Sequence, residues 1–271
     1  MMDWLTLLPR IPHDAAALLL GVLGLFLGSF YNVCSDRYLS GESIVWPPSH
    51  CTHCGTRLSA LELIPLVSWL CLRGRCAHCK EPIGWRYPLM ELTSGVTAAL
   101  VGWRWGLTLP ALTLLVFTGL FLVLSAIDLQ SYLLPDKMTL PGAILAVPAG
   151  IWGLGHDPLE TLLGGLIGVA LFWGLALYYR WRTGHDGLGF GDVKLMAVLG
   201  CLCGVLFLPL ILLVSGISAL LAFGAWCLKR RRVAGLTRTM LPFGPFLCLG
   251  AWISLLYGDA ILSWWMQWLI G

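Results

Sequence analysis

Only 11% of the 271 residues are charged, so every acidic side chain beside an apolar run needs a chemical reason. Asp128 closes the apolar run 114–127, and Asp192 closes Gly189-Phe190-Gly191-Asp192 at the head of another. Two carboxylates that share a site cannot both ionise easily. One keeps a proton as general acid while the other activates water as base, and the pair titrates as a unit. The glycines around Asp192 would let a peptide backbone approach where a side chain would block it. Peptide hydrolysis is the chemistry this pairing would serve. Blander roles remain open from spacing alone: Asp192 as an N-cap for a helix starting at Val193, and Asp128 as a snorkelling residue at a helix end. Asp136 fits an N-cap after Pro135, and Asp186 fits a solvated turn among Gly184, His185 and Gly187.

A second constellation is made of sulfur. Cys51-Thr-His-Cys54 and Cys76-Ala-His-Cys79 are two Cys-x-x-Cys knuckles separated by 21 residues, a spacing suited to four thiolates closing a tetrahedron around one structural zinc. The alternatives are two disulfides or a redox pair. The segment is too small and polar to bury much core, so a bound metal would contribute much of its folding free energy. His53 and His78 lie inside the knuckles, where solvent-facing roles suit them better than ligation. Cys34, Cys71, Cys201, Cys203, Cys227 and Cys248 sit in apolar surroundings and read as small packing residues.

These groups must be held by membrane helices. The chain is 58% hydrophobic, with a mean hydropathy of +0.82, and its apolar runs approach the roughly 20 residues that cross a bilayer as helix. The expected fold is an all-α polytopic membrane protein with about eight transmembrane helices. The spans are near 15–36, 88–106, 108–127, 138–155, 158–180, 193–209, 210–228 and 243–265. The fourth and sixth are short and interrupted by Gly or Pro, so seven crossings or a re-entrant segment also fit. Residues 1–14 include Asp3 and Asp14 and little positive charge, and no small-residue cleavage site follows. The first run therefore reads as a membrane helix and not as a removable signal.

Of 17 Lys and Arg, only Arg10 and Arg104 fall on the side of the N-terminus. Arg37, the basic residues of 38–87, Lys137, Arg180, Arg182, Lys194, Lys229-Arg230-Arg231-Arg232 and Arg238 fall on the other, which is then cytoplasmic, with both termini outside. The net charge of +3 is explained by topology and calls for no nucleic acid. The expected organisation is a first transmembrane segment (1–36), a small cytoplasmic zinc-ribbon-like loop domain (37–87) and a transmembrane bundle carrying the acidic pair (88–271).

The motifs resemble, in order, those of the type IV prepilin peptidase family. Gly28-Ser29-Phe30-Tyr31-Asn32-Val33 with Arg37 comes first. The paired knuckles follow, enclosing Glu62-Leu63-Ile64-Pro65-Leu66-Val67-Ser68-Trp69-Leu70 and Arg73-Gly74-Arg75, and then Tyr87-Pro88-Leu89-Met90-Glu91. Ile127-Asp128 with Leu134-Pro135-Asp136, Gly189-Phe190-Gly191-Asp192-Val193-Lys194 and Pro242-Phe243-Gly244-Pro245 complete the set. The likeness runs over roughly residues 24 to 250. It implies a bacterial inner-membrane aspartyl endopeptidase with periplasmic termini and with Asp128 and Asp192 as catalytic residues. The enzyme would cleave the basic leader of type IV prepilins, or of type II secretion pseudopilins, after a Gly at the cytoplasmic face. Members with the cysteine-bearing loop are typically bifunctional, which implies methylation of the new N-terminal amine with S-adenosylmethionine. Glu62 and Gly74 are the candidates in that loop, with a purely shaping role as the alternative, and no glycine-rich nucleotide fingerprint marks a cofactor site.

Two other classes make different demands. A proton-coupled transporter would place its carboxylates near mid-membrane and show internal repeats, whereas these lie at one edge and no repeat is evident. A non-catalytic scaffold organised by the zinc loop would tolerate loss of Asp128 and Asp192.

Overall fold

The computed structural model describes residues 11–185, 187, 189–230 and 241–270. Arg10, Asp3, Asp186, Arg231, Arg232 and Arg238, all used in the sequence reading, lie outside them. The chain divides into two compact units, Met1–Gly119 and Leu120–Gly271.

The first unit is built on α1 (His13–Ser40) and α3 (Arg86–Trp105), which run antiparallel. Their backbones approach because small residues face each other: a Cβ on Gly24 would stand 2.6 Å from Ala98 Cβ, and one on Gly28 2.7 Å from Glu91 Cα. Lipid offers no hydrophobic drive between helices, so close backbone packing of this kind is what joins them. Gly41 ends α1 in the left-handed conformation, its N–H on the Arg37 carbonyl. Arg37, only 7% exposed, turns back to donate to the carbonyls of Ser43 (2.7 Å), Ile44 (2.9 Å) and Pro47, and so fixes where the chain leaves the helix. Between the two helices lie the knuckles, a 3-10 turn (Leu61–Leu63) and the short α2 (Val67–Cys71).

The second unit holds α5 (Asp136–Pro148), which runs on into a π turn (Ala149–Gly153), then α6 (Pro158–Thr183), α7 (Phe190–Cys203), α8 (Leu208–Arg230) and α9 (Gly244–Ile270). The helix α4 (Leu109–Ser131) is shared between the units. Helix α7 is the centre of its unit, packed by α5, α6 and α9, and Leu195, Met196, Leu199 and Leu202 are completely buried. Against α6 the approach is backbone to backbone, since a Cβ on Gly164 would fall 2.2 Å from the Gly200 carbonyl oxygen. A short apolar helix with no wide polar face is what such a central position requires.

The described residues contain no strand, only two isolated bridges, and the all-α expectation holds. Among the described residues, eight helices of 13 residues or more follow one another in the anticipated places, but only five are long and apolar enough to cross a membrane: His13–Ser40, Leu109–Ser131, Pro158–Thr183, Val205–Leu228 and Gly244–Trp268. The expected count of eight spans is therefore not confirmed. Helices α5 and α7 are too short, at 13 and 14 residues, and α3 carries Arg86, Glu91 and Arg104.

Candidate functional site

Asp128 lies one turn before the end of α4 and is 5% exposed, so it is a buried carboxylate and not the snorkelling residue that a helix end permits. Its Oδ2 accepts the backbone N–H of Gly244 at 3.0 Å. That contact follows from Pro242-Phe243-Gly244-Pro245. Gly244 opens α9, where the first N–H groups have no partner within the helix, and Pro245 has none to offer. The positive end of the helix offsets part of the cost of burying this carboxylate. Only glycine fits: a Cβ there would be 2.8 Å from the same Oδ2.

Asp192 sits in the first turn of α7, whose N-cap is Gly189, and its own N–H bonds the Gly189 carbonyl at 3.0 Å. The helix starts at Phe190, so the N-cap role open to Asp192 in the sequence belongs to another residue. Asp192 is half-buried and near enough to Asp128 for the two to interact electrostatically. Leu134 bridges the surroundings of both: a Cβ on Gly191 would meet Leu134 Cβ at 2.7 Å, and one on Gly244 would meet Leu134 Cδ2 at 3.3 Å. Asp136 is not the N-cap of α5 either, because Pro135 holds that position. Its Oδ1 instead accepts Lys194 Nζ at 2.6 Å.

In the first unit, the two knuckles repeat one backbone design. Cys51 N–H bonds Thr56 O and Cys76 N–H bonds Glu81 O; Gly55 N–H returns to Cys51 O and Lys80 N–H to Cys76 O. Single antiparallel bridges, His50 with Arg57 and Arg75 with Pro82, close each loop. The turn needs a positive φ after the second cysteine, supplied by Gly55 at 69° and by Lys80 at 62°. The sulfurs of Cys51, Cys54, Cys76 and Cys79 all lie within 4.8 Å of one another and could hold a metal ion. None of the ten cysteines is in a disulfide. Hydrogen bonding with Thr56 pulls the Cys54 thiol down to about 6, which favours the thiolate a metal needs. Of the remaining cysteines, Cys34, Cys201, Cys203 and Cys248 are buried as packing residues should be. Cys71 departs from that expectation: it ends the five-residue α2 and is exposed.

A cavity of about 310 Å³ opens beside the knuckles, lined by Cys51, Glu62, Trp69, Tyr87 and Glu91 among others. Glu62 supplies the carboxylate half of a capping box over Ser59-Ala-Leu-Glu62: its Oε2 accepts Ser59 N–H at 2.8 Å and Ser59 Oγ at 2.7 Å. These bonds hold its carboxyl below the usual range. Its Oε1 is buried without a hydrogen bond and lies 3.5 Å from His78 Nε2. Gly74, at φ +68°, carries the chain past Trp69, where a Cβ would be 2.8 Å from the indole. It shapes the cavity without lining it.

Sequence reasoning assigned no task to Glu91 or Leu66. Glu91, 9% exposed on α3, accepts the Leu66 N–H at 2.8 Å. Leu66 has φ 59° and ψ −47°, with Pro65 O bonded to Val67 N–H at 2.6 Å, a tight γ-turn rarely centred on such a residue. One turn earlier, α3 carries Arg86 and Tyr87, which both donate to Asp36 on α1, at 2.6 and 2.8 Å. The signal available was an acidic residue in an apolar helix, the same one that singled out Asp128.

Comparison with known proteins gives a consistent result. Residues 22–105 match the bacterial peptidase A24 N-terminal domain and residues 115–224 the type IV leader peptidase family. Similar proteins carry the name prepilin leader peptidase/N-methyltransferase. The protein of Pseudomonas putida is 37% identical over 89% of this chain and 91% of its own length, and that of Pseudomonas aeruginosa 36% identical over 91% and 92%. The protein of Aeromonas hydrophila is 38% identical over 83% and 76%. No solved structure matches. Relatives this similar, over nearly their whole length, show that the chain belongs to the type IV leader peptidase family.

Proposed function

We propose that this protein cleaves the leader peptide of type IV prepilins and type II secretion pseudopilins at the cytoplasmic face of a bacterial inner membrane, with Asp128 and Asp192 as its catalytic pair. The observation that carries the reading is that Leu134 packs both beside Gly191, which precedes Asp192, and beside Gly244, whose N–H binds Asp128. In this reading Asp128, whose carboxylate accepts the Gly244 N–H, is the base and Asp192 holds the shared proton. Asp128 takes a proton from water as the water oxygen attacks the scissile carbonyl, and Asp192 protonates the carbonyl oxygen. Collapse of the tetrahedral intermediate breaks the C–N bond, and the leaving amine takes a proton from the pair. Both termini lie on the periplasmic side in this reading, because basic residues gather with the loops that carry both aspartates.

The second activity is methylation of the amine so released. S-adenosylmethionine would supply an electrophilic methyl group on a sulfonium cation. The cavity suits a cation, with Glu62 and Glu91 as carboxylates and Trp69 as an aromatic face, and its volume lies at the lower end of the roughly 300–1,000 Å³ of ligand sites. The knuckles would hold one structural zinc: a tetrahedral zinc–thiolate site has sulfurs about 3.8 Å apart, and Cys51 Sγ lies 3.9 Å from Cys79 Sγ. The loop 37–87 then serves methyl transfer while the bundle within 88–271 serves hydrolysis. Purified protein in lipid, given a prepilin and S-adenosylmethionine, should yield a mature chain whose N-terminal mass is raised by a single methyl group. A prepilin that stays full length overturns the reading.

A further inference from the structure

The loop that returns from Asp128 to α5 is short and ends in Leu133-Leu134-Pro135, and it determines what stands next to both carboxylates. Tyr132 turns it with φ 56°, its N–H on the Asp128 carbonyl at 2.8 Å. Leu134 then rests against Gly191 and Gly244. The loop ends at Asp136, and there the ion pair to Lys194 closes it, Oδ1 to Nζ at 2.6 Å. Lys194 is two residues beyond Asp192, where the second turn of α7 begins. The pair therefore joins the loop that descends from one carboxylate to the helix that carries the other.

Its energetics argue against a role in stability. Both side chains are partly exposed, 31% for Lys194 and 59% for Asp136, and an exposed ion pair contributes only about 0–1 kcal/mol. Geometry is more demanding: a displacement of about 1 Å in a reacting group can cost about a hundredfold in rate. We infer that Asp136 and Lys194 are a positioning pair, which fixes the Leu134 strap and with it the separation of Asp128 and Asp192 in the peptidase reaction. Neither residue touches the scissile bond. This inference rests on the assignment of Asp128 and Asp192 as the catalytic pair.

The test uses full-length protein in lipid vesicles with a purified prepilin, comparing Asp136→Asn, Lys194→Gln, the charge-reversed double variant Asp136→Lys with Lys194→Asp, and Asp128→Asn. Each single variant should lower kcat about tenfold, with KM and the melting temperature unchanged, and the reversed pair should regain most of the lost rate, as coupled neighbours do. Single variants with wild-type kcat overturn the inference, as does a reversed pair slower than either single, or a loss that appears in KM alone. Asp128→Asn keeps the two levels apart. Its activity would sink the catalytic assignment and the inference with it, whereas its inactivity beside fully active Asp136→Asn would sink the inference only.

Discussion

The two candidate sites of this chain are built by opposite means. The acidic pair stands at helix ends set in close packing: the α7 that carries Asp192 is wrapped on three sides, and a Cβ on Gly244 would stand 2.8 Å from Asp128 Oδ2. The cysteine knuckles and their cavity have almost no core beneath them. Between 50 and 84 only Pro65, Gly74 and Cys76 are buried, and the loop is tied down by side chains that reach in from elsewhere, Arg37 at its start and Glu91 at Leu66. In the helical site the backbone supplies rigidity, so single side chains determine chemistry. In the loop site rigidity depends on a few polar contacts, so single side chains determine shape as well as chemistry.

The sharpest break in that comparison is loss of one carboxylate. Asp128→Asn and Asp192→Asn should each lower prepilin cleavage by about a hundredfold to ten-thousandfold, the contribution of positioned acid–base groups, while the protein still inserts. Electrophoretic mobility of the prepilin reads this directly, and full processing by either variant would refute the pair. Next in size is Gly244→Ala. The added Cβ would lie 2.8 Å from Asp128 Oδ2 and must push the carboxylate off its N–H, so cleavage should fall about a hundredfold. Methylation of a prepilin supplied already cleaved should persist, because that site belongs to the other region. Equal loss of both activities would mean that the bundle has been disrupted as a whole.

The loop site should respond to metal. Metal analysis of the wild-type protein should give one zinc per chain, and a Cys51→Ser and Cys54→Ser double variant should lose it. Methylation should fall at least as far as cleavage, because a segment with so little core loses its folding free energy with its ion. Stoichiometric zinc in that variant would rule out these ligands. Cleavage lost while methylation is retained would reverse the roles assigned to the two regions.

Much of this was legible in the sequence because the clues were local. An acid at the edge of an apolar run, or two Cys-x-x-Cys knuckles 21 residues apart, each declares itself within a few positions. The helix order followed from apolar runs for the same reason, and the count of spans did not, because α5 and α7 borrow their burial from neighbours and need no spanning length of their own. What stayed hidden was long-range partnership. Gly244 N–H meeting Asp128 across 116 residues, Lys194 meeting Asp136 across 58 and Leu66 meeting Glu91 across 25 leave no periodicity to read. The capping box Ser59 to Glu62 was visible as a pattern, and its meaning for Glu62 emerged only with Oε1 turned inward.

That double use of Glu62 yields the smallest effect, and it tests whether the loop site recognises charge or only keeps its shape. Glu62→Gln retains an oxygen that can accept from Ser59, so the cap survives while the negative charge beside the cavity is lost. Ser59→Ala removes the hydroxyl from the cap and leaves the charge. Glu91→Gln likewise keeps an acceptor for the Leu66 N–H. A bond or close contact that depends on charge contributes about 1.5–3 kcal/mol. If the cavity takes a sulfonium cation, each glutamine variant should therefore bind S-adenosylmethionine roughly tenfold more weakly and leave a cleaved, under-methylated pilin, with cleavage itself unchanged. Ser59→Ala should cost less than either, since the charge remains. Calorimetry on the full-length protein gives the affinity, and mass spectrometry of the pilin N-terminus gives the methyl count. Should Ser59→Ala be the most damaging of the three, Glu62 acts on the loop's shape alone, and the recognition of charge in this region passes to Glu91 or fails.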